Sequence, residues 1–111
     1  MKLPNGARAI VDIRKLTGYC LNSEHPRGRH KARVFAAVLG ITVDHAEELR
    51  HLLLANAAAG DARLAGSDQY GDRYMLDFDV ARGAWIGRVR SSWIVRNAEQ
   101  VPRLITCYVL T

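Results

Sequence analysis

Cysteine is scarce: Cys20 and Cys107 are the only two in 111 residues, and no C-x-x-C pair occurs. Two thiols cannot complete a four-ligand structural zinc site on their own, and they are too few for a disulfide framework. A single disulfide between them stays open, beside the simpler reading of two small core thiols in a reducing compartment. Long apolar runs are missing too. No stretch reaches the roughly 18 residues that suggest a membrane span. Met1–Gly6 leads into charged, amphipathic sequence rather than an apolar segment, so no signal peptide is expected and the chain is expected to be cytoplasmic. The acids do not cluster as metal ligands do, and there is no Walker loop, G-x-S-x-G, H-E-x-x-H or Rossmann glycine pattern. A nucleotide-driven or metal-dependent enzyme is therefore disfavoured, and neither metal nor cofactor is expected. Repeats, linkers and low-complexity segments are also absent, which with the length predicts one domain over residues 1–111.

What is present is an ordinary apolar fraction, 49%, with 24% charged residues, enough to build a core without metal or disulfide support. The net charge is +5. Residues 1–50 carry nine Lys/Arg against five Asp/Glu, and residues 51–111 carry seven against six, so the positive excess belongs to the first half. Such an excess suits an acidic partner, and it also serves plain solubility. It is densest in His25-Pro26-Arg27-Gly28-Arg29-His30-Lys31-Ala32-Arg33, which contains no acid. Pro26 and Gly28 predict a loop there, running into a helix N-terminus. Unsatisfied backbone N–H groups and the helix dipole make that junction suitable for an anion such as a phosphate, flanked by Lys31 and Arg33.

The periodicity predicts helices first and strands after. Asp12 is expected to cap a helix over Ile13–Leu21, weakened by Gly18. A second helix is expected over Lys31–Leu39, burying Ala32, Phe35, Ala36 and Leu39 and stopping at Gly40. A third starts near Thr42–Asp44, with Asp44 and Glu47 as a capping-box-like pair, and ends at Gly60. Beyond Gly60 the period becomes two. Arg63–Ala65 reads as a short strand and Gly66–Gly71 as a loop. Arg73–Val80 alternates with Tyr74, Leu76, Phe78 and Val80 on one face. Trp85–Arg96 is a long or bulged strand with Arg88, Arg90, Ser92 and Ile94 on one face. Arg103–Leu110 is the last strand, with Ile105, Cys107 and Val109 opposed to Leu104, Thr106, Tyr108 and Leu110. This order implies an α+β fold, two to three helices packed on one face of a three- to four-stranded antiparallel sheet.

The polar residues of the strands, together with the basic loop, suit one metal-free reaction: attack of an RNA 2′-hydroxyl on the neighbouring phosphodiester. That reaction needs proton transfer and cations for the charge that develops. His25 or His30 can exchange a proton near neutral pH, and Arg88 or Arg90 can grip two phosphate oxygens. Tyr70, Trp85 or Trp93 can stack a base. Arg88 and Arg90 fit cross-hairpin pairs with Asp77 and Asp79 equally well.

Several segments, in a consistent order, resemble a bacterial small-domain family. They are Leu3-Pro4-Asn5, Asp12 to Tyr19, Leu21-Asn22 through His25-Pro26, and Gly28, Lys31-Ala32 and Phe35. They continue with Gln69-Tyr70-Gly71, Val89-Arg90, Trp93-Ile94, Pro102-Arg103-Leu104, Thr106 and Tyr108. Members occur alone and as C-terminal toxin domains of large secreted proteins. The family is similar to the tRNA-cleaving toxins of contact-dependent growth inhibition systems, which adopt the barnase–EndoU–colicin–RelE fold. The resemblance implies RNA, tRNA above all, as substrate, and a cognate antitoxin or immunity protein as partner. It also implies site residues: Lys31 and Arg90 on phosphate, His25 as acid or base, and Thr106 and Tyr108 as orienting groups. Arg29, His30, Arg88 and Tyr70 would then contact the substrate. A non-catalytic RNA- or protein-binding module is the alternative.

Overall fold

The computed structural model describes the whole chain, Met1–Thr111, as an α+β fold in which the helices precede a four-stranded antiparallel sheet. The strands are β1 (Ala62–Asp68), β2 (Gly71–Arg82), β3 (Trp85–Arg96) and β4 (Arg103–Leu110), and they lie in the sheet in chain order. β2 and β3 pair along their full length, closed by a tight turn in which Gly83 takes a φ of 57°. Primed hairpin turns demand that left-handed geometry. The alternation read in β2 holds: Tyr74, Leu76, Phe78 and Val80 are buried, and they join Val89, Trp93, Cys107 and Val109 in one core with the helices. Trp93 is wholly buried. Its indole N–H donates to Ser91 Oγ at 2.9 Å, and that hydroxyl donates to the Leu76 carbonyl at 2.7 Å. No buried polar side-chain atom lacks a partner.

α1 (Arg29–Leu39) begins two residues earlier than the sequence pattern predicts. The loop carbonyls already accept its first bonds, Arg29 N–H to His25 O at 2.8 Å and Ala32 N–H to Gly28 O at 2.9 Å. It buries Ala32, Phe35 and Leu39 and ends at Gly40, whose left-handed φ of 63° closes the C-cap. α2 (Ala46–Ala59) buries Ala46, Leu49, Leu53 and Ala57. No helix is long and apolar enough to cross a membrane.

Four local expectations need correction. The stretch after Asp12 is not an α-helix to Leu21 but a short turn leading into a π-helical turn, Leu16–Cys20. Asp12 Oδ1 does accept the Arg14 N–H at 3.0 Å, yet Leu21 N–H bonds back five residues to Leu16 O at 2.8 Å. The wider turn lets Leu16, Cys20 and Leu21 all reach the core. The capping box uses Thr42 and His45 rather than Asp44 and Glu47: Thr42 Oγ1 accepts the Asp44 N–H, and His45 Nδ1 accepts the Thr42 N–H at 3.0 Å. β1 runs on to Asp68, with a bulge between Leu64 and Gly66. A second bulge shifts the register where Ser92 faces Thr106 and Trp93 faces Leu104, so Ile105 is the extra residue. Leu104 therefore shares the buried face with Cys107 and Val109, while Thr106 and Tyr108 stay on the other. Ile94 is buried as well, in a recess it shares with Ile10, whose backbone bridges β4 at Arg103.

Candidate anion site between α1 and the sheet

The basic loop is folded around its own imidazole. His25 Nδ1 accepts the backbone N–H groups of Arg27 and Gly28, each at 3.0 Å. Gly28 rests on the preceding turn so closely that a Cβ there would lie 2.0 Å from the Tyr19 carbonyl oxygen. This contact presses the loop onto Tyr19, whose ring meets that of His25 edge-on at 5.0 Å. From the first turn of α1, Lys31 Nζ donates to the Tyr19 hydroxyl at 3.0 Å. The ammonium lies 5.0 Å from the Tyr19 ring centre and 5.9 Å from that of Tyr108, a cation held between two aromatic faces. Tyr108 stands opposite Arg90 in the β3–β4 register, on the same face of the sheet.

A continuous chain of contacts thus runs from His25 through Tyr19, Lys31 and Tyr108 to Arg90. Thr106, two residues before Tyr108, has its hydroxyl 3.6 Å from Cys20 Sγ. The five residues carried over from the resemblance therefore gather where α1 meets β4. Lys31, His30, Val34 and Tyr108 line an open cleft of about 370 Å³ there. Tyr19 and Cys20 also belong to the site, through the Tyr19 hydroxyl on Lys31 and the Cys20 thiol beside Thr106. Their signal in sequence was only that of apolar positions in a helix.

Charge is distributed in a way the sequence left open. Asp77 takes Arg90 in a two-pronged pair at 2.9 and 3.0 Å, with Arg63 at 3.8 Å, and Asp79 takes Arg88 at 2.7 Å. The cross-hairpin pairing holds, so the sheet arginines are largely neutralised. Arg90 and Arg63 hold the Asp77 carboxyl below the usual range against the cost of burial, and the same pair raises Arg90. Arg14, Arg50, Arg73, Arg82, Arg96 and Arg103 also stand beside carboxylates. The side chains left without an acid are Lys2, Arg8, Lys15, Arg27, Arg29, Lys31 and Arg33. Four of these seven fall between Arg27 and Arg33, so the uncompensated field of the molecule is centred on the first turns of α1.

The remaining candidates divide. Arg29 and His30 lie on the exposed side of α1 and line a second cleft. Arg88 points from the same face of β3 as Arg90 but is committed to Asp79. Tyr70 is not part of the site. It sits exposed in the β1–β2 turn, next to the Gly71–Arg96 end of the sheet. Arg90 pairs with Asp77 further along, roughly 20 Å away at about 3.3 Å per residue. Trp85 lies over Gly40, and Trp93 is core, so neither offers a base-stacking surface at this cleft.

Both cysteines are free and buried. They come together at the wall of the site, Cys20 being the more acidic, held down to about 6 because Cys107 hydrogen-bonds to it, with Thr106 and Lys31 assisting against desolvation. Replacing Asp77 with Asn tests the charge map. With its carboxylate removed, Arg90 is released, so affinity for RNA should rise while thermal stability falls. The stability loss is on the order of 1–3 kcal/mol, typical of a hydrogen bond to a charged group. Titration with labelled RNA and thermal melts would show the two opposite signs.

Fold and site together define a small α+β domain that carries a cluster of hydrogen-bond donors and unpaired cations at the junction of a helix and an edge strand. The chain belongs to the family described as Domain of unknown function (DUF6883), whose model matches residues 2–111. No curated protein and no solved structure matches it.

Proposed function

We propose that this domain is a metal-independent endoribonuclease toxin, directed at RNA and at tRNA first, that cleaves by 2′-hydroxyl attack and leaves a 2′,3′-cyclic phosphate. The observation that carries this reading is the Lys31 ammonium on the Tyr19 hydroxyl and between the Tyr19 and Tyr108 rings, with Arg90 opposite Tyr108 in the sheet. All of these groups can donate to oxygen. The Tyr19 hydroxyl accepts from Lys31 and so keeps its own O–H free for a phosphate oxygen. A phosphorane gains charge on its oxygens as it forms, and fixed donors aimed there lower the barrier by about 3–4 kcal/mol each. The helix-then-sheet order agrees with the barnase–EndoU–colicin–RelE arrangement that the resemblance implies.

The role of His25 changes in this reading. Its Nδ1 lone pair already accepts two backbone N–H groups, which leaves the proton of the neutral ring on Nε2. Such a ring donates a hydrogen bond and does not serve as a general base. His30 is held alike, because its Nδ1 faces the Arg33 guanidinium at 2.7 Å. Catalysis then rests on charge stabilisation, with the protons exchanged through solvent. The same observation favours a second reading, an RNA-binding module without catalysis. In either case the acid-free segment Arg27–Arg33 is the surface that a neutralising antitoxin or immunity protein would cover with carboxylates.

Purified protein incubated with total RNA in EDTA separates the two. Discrete fragments ending in cyclic phosphate are expected. Intact RNA with salt-sensitive binding retained would leave the binding module. Absence of both would end the RNA reading.

A further inference from the structure

α1 carries cations on two flanks, and the anion site described above uses only one of them. At 100° per residue, Lys31 falls on one side of the buried Ala32–Phe35–Leu39 stripe, and Arg29, Arg33 and Ala36 fall on the other. On that other side lies the largest cleft of the molecule, about 770 Å³, well within the range of small-molecule sites. Its floor and walls are Leu21, Ala32, Ala36 and Val43, and its rim is Arg29, His30 and Arg33. No carboxylate lines it. Neither arginine has an acidic partner, and Val43 is 46% exposed. His30 lines both clefts, so the two cationic sites are continuous over the outer face of the helix.

We infer that this cleft is a second nucleotide subsite, in which Arg29 and Arg33 hold a phosphate and the apolar floor takes the base of a nucleotide further along the strand bound at Lys31. The inference rests on the RNA reading of the Lys31 cleft and extends it: the strand crosses α1 at His30. The chemistry of the lining explains the choice. Apolar atoms below and guanidinium groups at the rim match a flat base joined to an anion, whereas a purely acidic peptide would leave the floor unused. The helix is roughly 10–12 Å across with its side chains, a span that a single strand covers in a few nucleotides. Arg33 is pre-positioned, because its contact with His30 fixes one end of the guanidinium and leaves the other N–H groups unpaired.

The test is equilibrium binding of 2′-O-methyl RNA, which cannot undergo 2′-hydroxyl attack, so the result does not depend on catalysis. Probes of two and of about eight nucleotides are titrated by fluorescence anisotropy against the wild-type chain, Lys31→Ala, and the Arg29→Ala/Arg33→Ala double variant. The double variant should weaken the longer probe on the order of tenfold and flatten its salt slope by about 0.7, the loss of one single-strand phosphate contact. The ratio of long-probe to short-probe affinity should fall with it. Lys31→Ala should weaken both probes alike. Equal losses of both probes in the double variant, or no loss in either, would overturn the subsite while leaving the RNA reading intact. Failure of the wild-type chain to bind either probe would overturn both. If poly-glutamate binding proved sensitive to the double variant while RNA binding was not, the cleft would belong to a protein partner, and the subsite would again fall. Circular dichroism of the double variant guards against misfolding, which is not expected for two exposed side chains.

Discussion

Lys31→Ala is expected to abolish most RNA cleavage, lowering kcat by about 10²–10³-fold, the usual effect of deleting one donor aimed at a developing oxyanion. Thermal stability should change little. Lys31 is only partly buried, and its partner hydroxyl on Tyr19 stays within reach of water once the ammonium has gone. Lys31→Arg should restore only part of the rate. A compact ammonium fits between the Tyr19 and Tyr108 rings, whereas a planar guanidinium would have to stack on one of them and displace its donors. Single-turnover rates measured beside melting temperatures decide the matter. A Lys31→Ala variant that cut RNA at the wild-type rate would remove the Lys31 cluster from the mechanism.

The largest stability effect is expected at Trp93. Deleting this wholly buried indole leaves a cavity and costs about 3–5 kcal/mol. It also takes the N–H from Ser91 Oγ, though that hydroxyl keeps its bond to the Leu76 carbonyl. A domain stabilised by about 5–15 kcal/mol would be left marginal. At about 4–8 °C per kcal/mol for a chain near this size, the melting temperature should fall by at least about 12 °C. Ser91→Ala leaves the buried Trp93 N–H without its acceptor and should cost about 1–3 kcal/mol, less than loss of the indole itself. Should Trp93→Ala melt within a few degrees of the wild type, the sheet would have to be packed differently from what its alternation implies. The site would then be in question too, since Arg90, Thr106 and Tyr108 project from the opposite face of the strands that Trp93 anchors.

Much of this was readable in the residues. Alternation in Tyr74–Val80 gave away the buried face of β2, and the three-and-four spacing of Ala32, Phe35 and Leu39 gave away that of α1, because burial follows the period of the backbone. Gly40 announced its turn through the left-handed conformation it supplies. The bulge at Ile105 was not readable, because a bulge is a property of two paired strands and one strand does not encode it. For the same reason strict alternation put Leu104 on the wrong face. The switch of the cap from Asp44 and Glu47 to Thr42 and His45 follows the extended backbone at Thr42, which makes that residue the N-cap.

The sequence by itself determined α1, α2, the run of strands that follows them and the concentration of basic residues between Arg27 and Arg33, since these follow from local periodicity and from the absence of acids nearby in the chain. Only the tertiary structure decided which cations are free. Register places Asp77 against Arg90 and Asp79 against Arg88, and so leaves the helix, not the sheet, as the positive surface. It alone set Lys31 between Tyr19 and Tyr108, because those three side chains come from a π-turn, a helix and an edge strand that meet only when the core closes.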